Sequence, residues 1–323
     1  MMLKATVILF CYNQEATVGR AIESVLRQRC DYPYEILVAD DGSPDGTRRV
    51  CEEYASKYPD LIRMLPAAPN KGLVDNYYDA VAASRGEYVA DCAGDDEWGA
   101  PDRLQRCIEL LDRHKDISVV YTDTVTVNEA QNGAAASQAS TRSSGGAEGP
   151  TRRSGREILL SVLNHVNSIP YVLSSALYRR EPVARALSES PRLLRCPDGG
   201  VEDVPLIAFL GSVGDAMHLP IEGYRYYISG ESVSNNLSDE KDYWFTARVS
   251  SMTLRLGRLY RLTFHQQRDH FRAKFNYMAA MARRSGNRAL LCDLRKRRRE
   301  WGHPLPLKAR LNLLLLRLGY RGV

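Results

Sequence analysis

Gly86-Glu-Tyr-Val-Ala-Asp-Cys-Ala-Gly-Asp-Asp-Glu-Trp-Gly-Ala-Pro-Asp-Arg-Leu104 is the stretch on which the fold turns. Tyr88 to Cys92 has the make-up of a short buried strand, Gly94 interrupts it, and Pro101 starts a helical pattern. Asp95 and Asp96 thus stand side by side at the end of a strand. Adjacent carboxylates repel each other and are expensive to desolvate, so they call for a partner charge. Hard oxygen ligands select Mg2+ or Mn2+, and a protein offering one or two carboxylates leaves the other positions to water and substrate phosphates. The competing reading is a solvated acidic turn in which one carboxylate caps the next helix.

Outward from this stretch the same alternation repeats. Thr6 to Phe10 is a continuous apolar β-type run, followed by Val18, Ala21, Ile22, Val25 and Leu26 at helical spacing. Glu35 to Ala39 forms a second strand, the polar turn Asp40 to Gly46 follows, and Val50, Tyr54 and Tyr58 mark the next helix. A third strand, Leu61 to Leu65, leads through Asn70-Lys71-Gly72 to a helix ending at Gly86. Strands alternating with helices through short connections predict an α/β fold with a mostly parallel sheet, helices on both faces and right-handed crossovers. Ligands of such sheets bind beyond the carboxyl ends of the strands, which is where Tyr12 to Glu15, Asp40 to Asp45 and Asp95 to Glu97 fall.

Beyond a fifth strand, Ser118 to Asp123, residues 128–156 are rich in Ala, Ser, Gly and Thr and read as a flexible loop. An apolar helix at Ile158 to Leu163, a strand near Tyr171 to Tyr178 and a helix opened by Asp203 and Pro205 come next. Two β-type runs, Ala216 to Leu219 and Tyr224 to Ile228, precede a helical pattern from about Asp239 onward. The expected division is a catalytic-type domain over 1–235 and a basic helical extension over 236–323.

The 323 residues are 44% apolar, ordinary for a globular chain, with a formal charge of +5. That total conceals an asymmetry: residues 241–323 hold 20 Lys plus Arg against 4 Asp plus Glu, so the remainder is acidic. Seven scattered cysteines without C-x-x-C spacing argue against a disulfide framework or zinc site and for a reducing compartment. Ala5 to Cys11 reads as a first strand rather than a signal peptide, and no window is long and apolar enough to span a bilayer. A cytoplasmic protein, peripheral on the inner membrane face, is the expectation.

In order, the strand then Cys11-Tyr-Asn-Gln-Glu15, Asp40-Asp-Gly-Ser-Pro-Asp-Gly-Thr47, Asn70-Lys-Gly72, Gly94-Asp-Asp-Glu-Trp98 and Glu202-Asp203 resemble glycosyltransferase family 2, inverting nucleotide-sugar transferases with a GT-A, Rossmann-like fold. The resemblance covers roughly residues 4–232 and implies that Asp41 accepts a hydrogen bond from the nucleotide base, uracil in the commonest members. It places Tyr12, Asn13 and Glu15 along the same nucleotide. Asp95 matches the last carboxylate of the family's D-x-D element, which holds Mn2+ or Mg2+ on the donor diphosphate; Ala93 stands at the first position, so Asp96 would substitute or orient the donor sugar. Asp91, inside the strand, reads as structural.

The family's general base, which removes the acceptor proton as its hydroxyl attacks the anomeric carbon, matches Asp203, with Glu202 in reserve. Asp203 also reads as the cap of the helix begun by Pro205, and capping bonds would lower its basicity. Arg225 is placed to reach the diphosphate from a loop near Ser229 to Ser234. The resemblance implies one sugar per encounter, moved from a nucleotide sugar, a UDP-sugar in the commonest case, to a glycan or lipid-linked glycan in cell-surface polysaccharide synthesis. The Gln-x-x-Arg-Trp element of processive synthases is absent. Lys296 to Arg299 and the leucine-rich Leu311 to Leu318 suit an anionic membrane surface, or equally a solvated face or homo-oligomer contact; no motif supports nucleic acid. The rivals are a sugar nucleotidyltransferase and a non-catalytic carbohydrate- or partner-binding module of the same fold.

Overall fold

The apolar runs of the first hundred residues become the central strands of one sheet. In the computed structural model, which describes residues 3–128, 149–164, 170–196, 200–228, 238–318 and 320, β1 is Ala5–Cys11, β2 Tyr34–Asp40, β3 Ile62–Met64 and β4 Tyr88–Ala93. Neighbouring strands run parallel in the order β3-β2-β1-β4, so all four end on the same side. Parallel strands need crossovers, supplied by α1 (Val18–Leu26), α2 (Thr47–Lys57) and α3 (Leu73–Ala83). Alternation along β1 serves both faces: Val7 and Leu9 join the core that includes Val18, Ile22 and Ile108, while Phe10 meets the Tyr77 ring edge-on at 5.8 Å.

The short strand β5 (Glu97–Trp98) and α4 (Arg103–Arg113) follow β4. The remaining strands are β6 (Ile117–Asn128), β7 (Thr151–Arg153), β8 (Ala176–Arg179) and β9 (Asp215–Ile228), with α5 (Gly155–Asn164), α6 (Arg180–Glu189) and α7 (Asp203–Val213) between them. They extend the order to β4-β8-β6-β9-β5, with β7 on β9. β8 is antiparallel to both β4 and β6, and β6 runs parallel to β9, so the sheet is mixed.

The two runs expected at residues 216–219 and 224–228 are one strand, β9, which carries Pro220 through register shifts around Asp123. The loop expected over 128–156 is also shorter than the composition suggested. Thr151–Arg153 pairs with β9 and Gly155 opens α5, tied down by its N–H donating to Asp215 Oδ1 at 2.8 Å. The rest of that stretch, 129–148, lies outside the described residues. The helix Arg180–Glu189 has only a weak apolar face, Val183 and Ala186 being its buried positions, and was missed for that reason.

The chain forms two units: residues 1–159, 170–195 and 205–229 make the sheet unit, and 160–169, 196–204 and 230–323 the other. The second is helical after Ser238: α8 (Asp239–Leu259), α9 (Phe264–Ser285), α10 (Ala289–Trp301) and α11 (Leu307–Arg317). Its core gathers Tyr243, Phe271, Phe275, Met278, Leu294 and Trp301. A capping box between Thr263 and Gln266 starts α9, and left-handed Gly286 and Gly302 end α9 and α10.

Asp91 belongs to the sheet unit's interior. Its Oδ2 accepts from the Tyr77 hydroxyl at 3.0 Å, and Tyr77 also meets the Tyr178 hydroxyl at 3.1 Å. Burial pushes its acid pKa up to about 6, although the Ser174 and Tyr77 hydroxyls and Arg103 pull the other way. A carboxyl that stays protonated in the fold to higher pH than in the unfolded chain contributes stability at low pH, lost between about pH 4 and 6 and worth about 3 kcal/mol. Asp91→Asn keeps an acceptor for Tyr77 and should flatten that part of the stability curve. Urea unfolding midpoints measured between pH 4 and 7 check this, and an unchanged slope would reject it.

Candidate functional site: the acidic turns beyond β1, β2 and β4

Because β1, β2 and β4 are parallel, the turns that leave them are neighbours, and backbone bonds tie them together. Asp41 N–H donates to the Cys11 carbonyl at 3.0 Å and Gly94 N–H to the Phe10 carbonyl at 3.0 Å. Asn13, in the left-handed region at φ 56°, donates its N–H to Ser43 Oγ at 3.0 Å, and Glu15 N–H donates to Asp45 Oδ2 at 3.0 Å. The three polar clusters read from the sequence therefore meet at one end of the sheet.

Asp41 is buried, and its carboxylate accepts from the N–H groups of Lys71 at 3.0 Å and Gly72 at 2.9 Å. It fastens the Asn70-Lys71-Gly72 turn to the end of β2, and its remaining lone pairs can serve a further donor. Gly42, at φ +69°, has no room for a side chain: a Cβ there would lie 2.7 Å from the Asn70 nitrogen and 2.8 Å from the Ala68 oxygen.

Tyr12 is half-exposed at 49%, beside exposed Asn13. Glu15 turns toward the start of α2, where Oε2 accepts from Gly46 N–H at 3.0 Å and Oε1 from Arg49 at 2.9 Å. Asp45 caps the same helix start by accepting from Thr47 N–H at 3.0 Å.

Asp95 and Asp96 part company. Asp96 is buried, with Oδ2 accepting from the Tyr224 hydroxyl at 2.6 Å and Oδ1 from the Tyr227 N–H at 2.8 Å, so it clasps β9 to the turn after β4. Burial, then the neighbouring Asp95 carboxylate, push its acid up to about 7 against the pull of those donors and Arg20. Asp95 is more exposed than Asp96, and its carbonyl accepts from Arg20 Nη2 at 2.8 Å.

Arg20 was not singled out from the sequence, yet it joins this turn to β9: its Nε lies 3.3 Å from Glu97 Oε1 and its guanidinium 3.8 Å over the Tyr227 ring. The only sequence signal was a cation on the first helix after β1, a common surface pattern. Arg225, on β9, is 44% exposed, donating to Glu222 at 2.6 Å and lying 3.9 Å from Glu97. The loop from which it was expected to act lies outside the described residues.

Asp203 opens α7, and its Oδ1 accepts from the Val204 N–H at 2.6 Å. That bond lowers the pKa, but burial outweighs it and the carboxyl is held above its ordinary range. The capping reading is thus compatible with a basic carboxylate. Glu202, beside it, is half-buried.

Among the described residues no three of His, Cys, Asp and Glu converge as a metal cage. The donor chemistry at the turn after β4 fits a divalent cation of another kind. Asp96 is engaged by β9, and the Asp95 carboxylate beside it is a hard oxygen donor of the kind around which diphosphate and water complete the shell of Mg2+ or Mn2+.

Residues 6–185 match the family described as "Glycosyl transferase family 2". The chain belongs to that family. An uncharacterized protein of Mycobacterium tuberculosis is 39% identical over 116 residues, 36% of this chain and 34% of that protein. The putative glycosyltransferase EpsE of Bacillus subtilis is 34% identical over 126 residues, 39% of this chain and 45% of the relative, so the chain spans less than half of either. Among solved structures, S. aureus TarS 1-349 in complex with UDP-GlcNAc aligns with a TM-score of 0.53 at 18% identity, covering 98% of this chain and 92% of that 1-349 chain. The mannosyltransferase PcManGT of Pyrobaculum calidifontis, in complex with GDP-Man and Mn2+, gives 0.54 at 15% identity, covering 98% and 85%. At those identities the likeness is one of fold, and the fold is GT-A.

Proposed function

We propose that this chain is a glycosyltransferase that moves one sugar from a nucleotide-sugar donor, a UDP-sugar in our reading, to a glycan acceptor in cell-surface polysaccharide synthesis. The observation that carries the proposal is the gathering of three acidic turns at the carboxyl ends of β1, β2 and β4 in a chain of family 2. In the proposed roles, Asp41 accepts a hydrogen bond from the base, and Tyr12, Asn13 and Glu15 border the nucleotide. Asp95 binds a divalent cation, Mn2+ or Mg2+, which supplies charge neutralisation for the departing diphosphate. Asp96 keeps the turn in shape through Tyr224 and Tyr227. Arg225 approaches the diphosphate.

Asp203 takes the proton of the acceptor hydroxyl as its oxygen forms the bond to the anomeric carbon, and the bond from that carbon to the diphosphate breaks. No protein nucleophile intervenes, so configuration inverts. A carboxyl raised above its ordinary range is a stronger base than a solvated one, which suits Asp203 to that role.

Product analysis with a panel of nucleotide sugars and Mn2+ tests the reading. Release of nucleoside diphosphate with one sugar added to the acceptor supports it. Release of pyrophosphate would mark a nucleotidyltransferase instead, and donor binding without turnover across the panel would mark a binding module.

A further inference from the structure

The last helix of the second unit carries an apolar face that the fold leaves uncovered. Leu307, Leu311, Leu314 and Leu318 are 82, 55, 50 and 64% exposed. At 3.6 residues per turn they fall within one strip about 60° wide along α11 and its first following residue. The opposite side, Ala309, Leu313 and Leu316, is buried in the unit's core. Single exposed leucines need no explanation, but four in line do.

The sequence had presented Leu311 to Leu318 as one leucine-rich stretch. The structure divides it into a packed half and an outward half, and adds Leu307 to the latter.

The borders of the strip are cationic. On the helical wheel Lys308 flanks it on one side and Arg310 and Arg317 on the other, all exposed, and no Asp or Glu occurs after Glu300. Exposed Arg295, Lys296, Arg298 and Arg299 add charge on α10, whereas Arg297 is spent internally, 2.6 Å from Asp293 and over the Trp244 and Trp301 rings. No helix among the described residues is long and apolar enough to cross a membrane, so α11 would lie on a surface rather than through it.

We propose that the Leu307, Leu311, Leu314 and Leu318 strip seats in the interface of an anionic phospholipid bilayer, with Lys308, Arg310 and Arg317 at the headgroup level. A second copy of the chain is the poorer occupant. A two-fold contact sets the strip against itself and brings like-charged borders together, which an anionic lipid surface does not.

The experiment is co-sedimentation of the full chain with vesicles of phosphatidylcholine alone and of phosphatidylcholine mixed with phosphatidylglycerol. Binding should require the anionic lipid and weaken as salt rises. Leu311→Ser with Leu314→Ser should lower partitioning by about tenfold or more at unchanged melting temperature, because both side chains face solvent in the free protein. Lys308→Gln with Arg317→Gln should lower it by about fivefold per cation at low salt. Equal binding to neutral vesicles, no binding to either, or full binding by the leucine variant would each overturn the proposal. So would a lipid-free dimer that the leucine variant dissociates. The readout is independent of sugar transfer, so its failure leaves the catalytic reading in place.

Discussion

Asp203→Asn should lower kcat by about 10²- to 10⁴-fold, the usual contribution of a general base, while donor affinity stays as it is. Asparagine retains an oxygen to accept the Val204 N–H, so the start of α7 is conserved and only the basicity is lost. The pH profile separates this role from a structural one. Burial holds the Asp203 carboxyl above the ordinary Asp range, and only the ionised form can take a proton. The acid limb of wild-type kcat/KM should therefore lie above about pH 4, with activity lost as pH falls through it, and the residual activity of the variant should lack that limb. A variant with wild-type kcat, or with reduced activity and the same limb, would take Asp203 out of the chemistry and turn attention to Glu202.

The fold was legible where burial is two-sided. Thr6 to Phe10 and Glu35 to Ala39 are apolar after their first residue because β1 and β2 have helices on both faces, and their ends fell within a residue or two of the observed ones. Legibility dropped where one face is polar or the strand bends. β6 runs five residues past the expected Asp123, its later half alternating Thr and Val, and Pro220 split the reading of β9. In the site, residue types and order located the turns, but not which carboxylate oxygens the protein itself uses. Asp41 bonds two backbone N–H groups supplied by residues 30 and 31 positions away, and Asp96 bonds two groups on β9 more than a hundred positions away. Such pairings depend on tertiary contacts that no local pattern encodes, and for the same reason Arg20 escaped notice.

That division of labour between Asp95 and Asp96 makes the second large effect predictable. In Asp95→Asn, Mn2+ should no longer strengthen donor binding. Loss of an outer-shell partner typically costs about 10- to 100-fold in metal affinity, and loss of a direct ligand should cost no less. Asp96 is not free to compensate, because turning toward a cation would strip Tyr224 and the Tyr227 N–H of their acceptor inside the protein. Calorimetric titration of a nucleoside diphosphate with Mn2+ and with chelator provides the comparison. Wild type should bind more tightly with the metal, and the variant should bind alike in both conditions at the wild-type chelator value. If the variant keeps the full gain from Mn2+, the cation is held elsewhere and Asp95 is only part of the turn. A loss of affinity in chelator as well would mean that the substitution has disturbed the nucleotide seat proposed at Asp41, a different failure visible in the same titration.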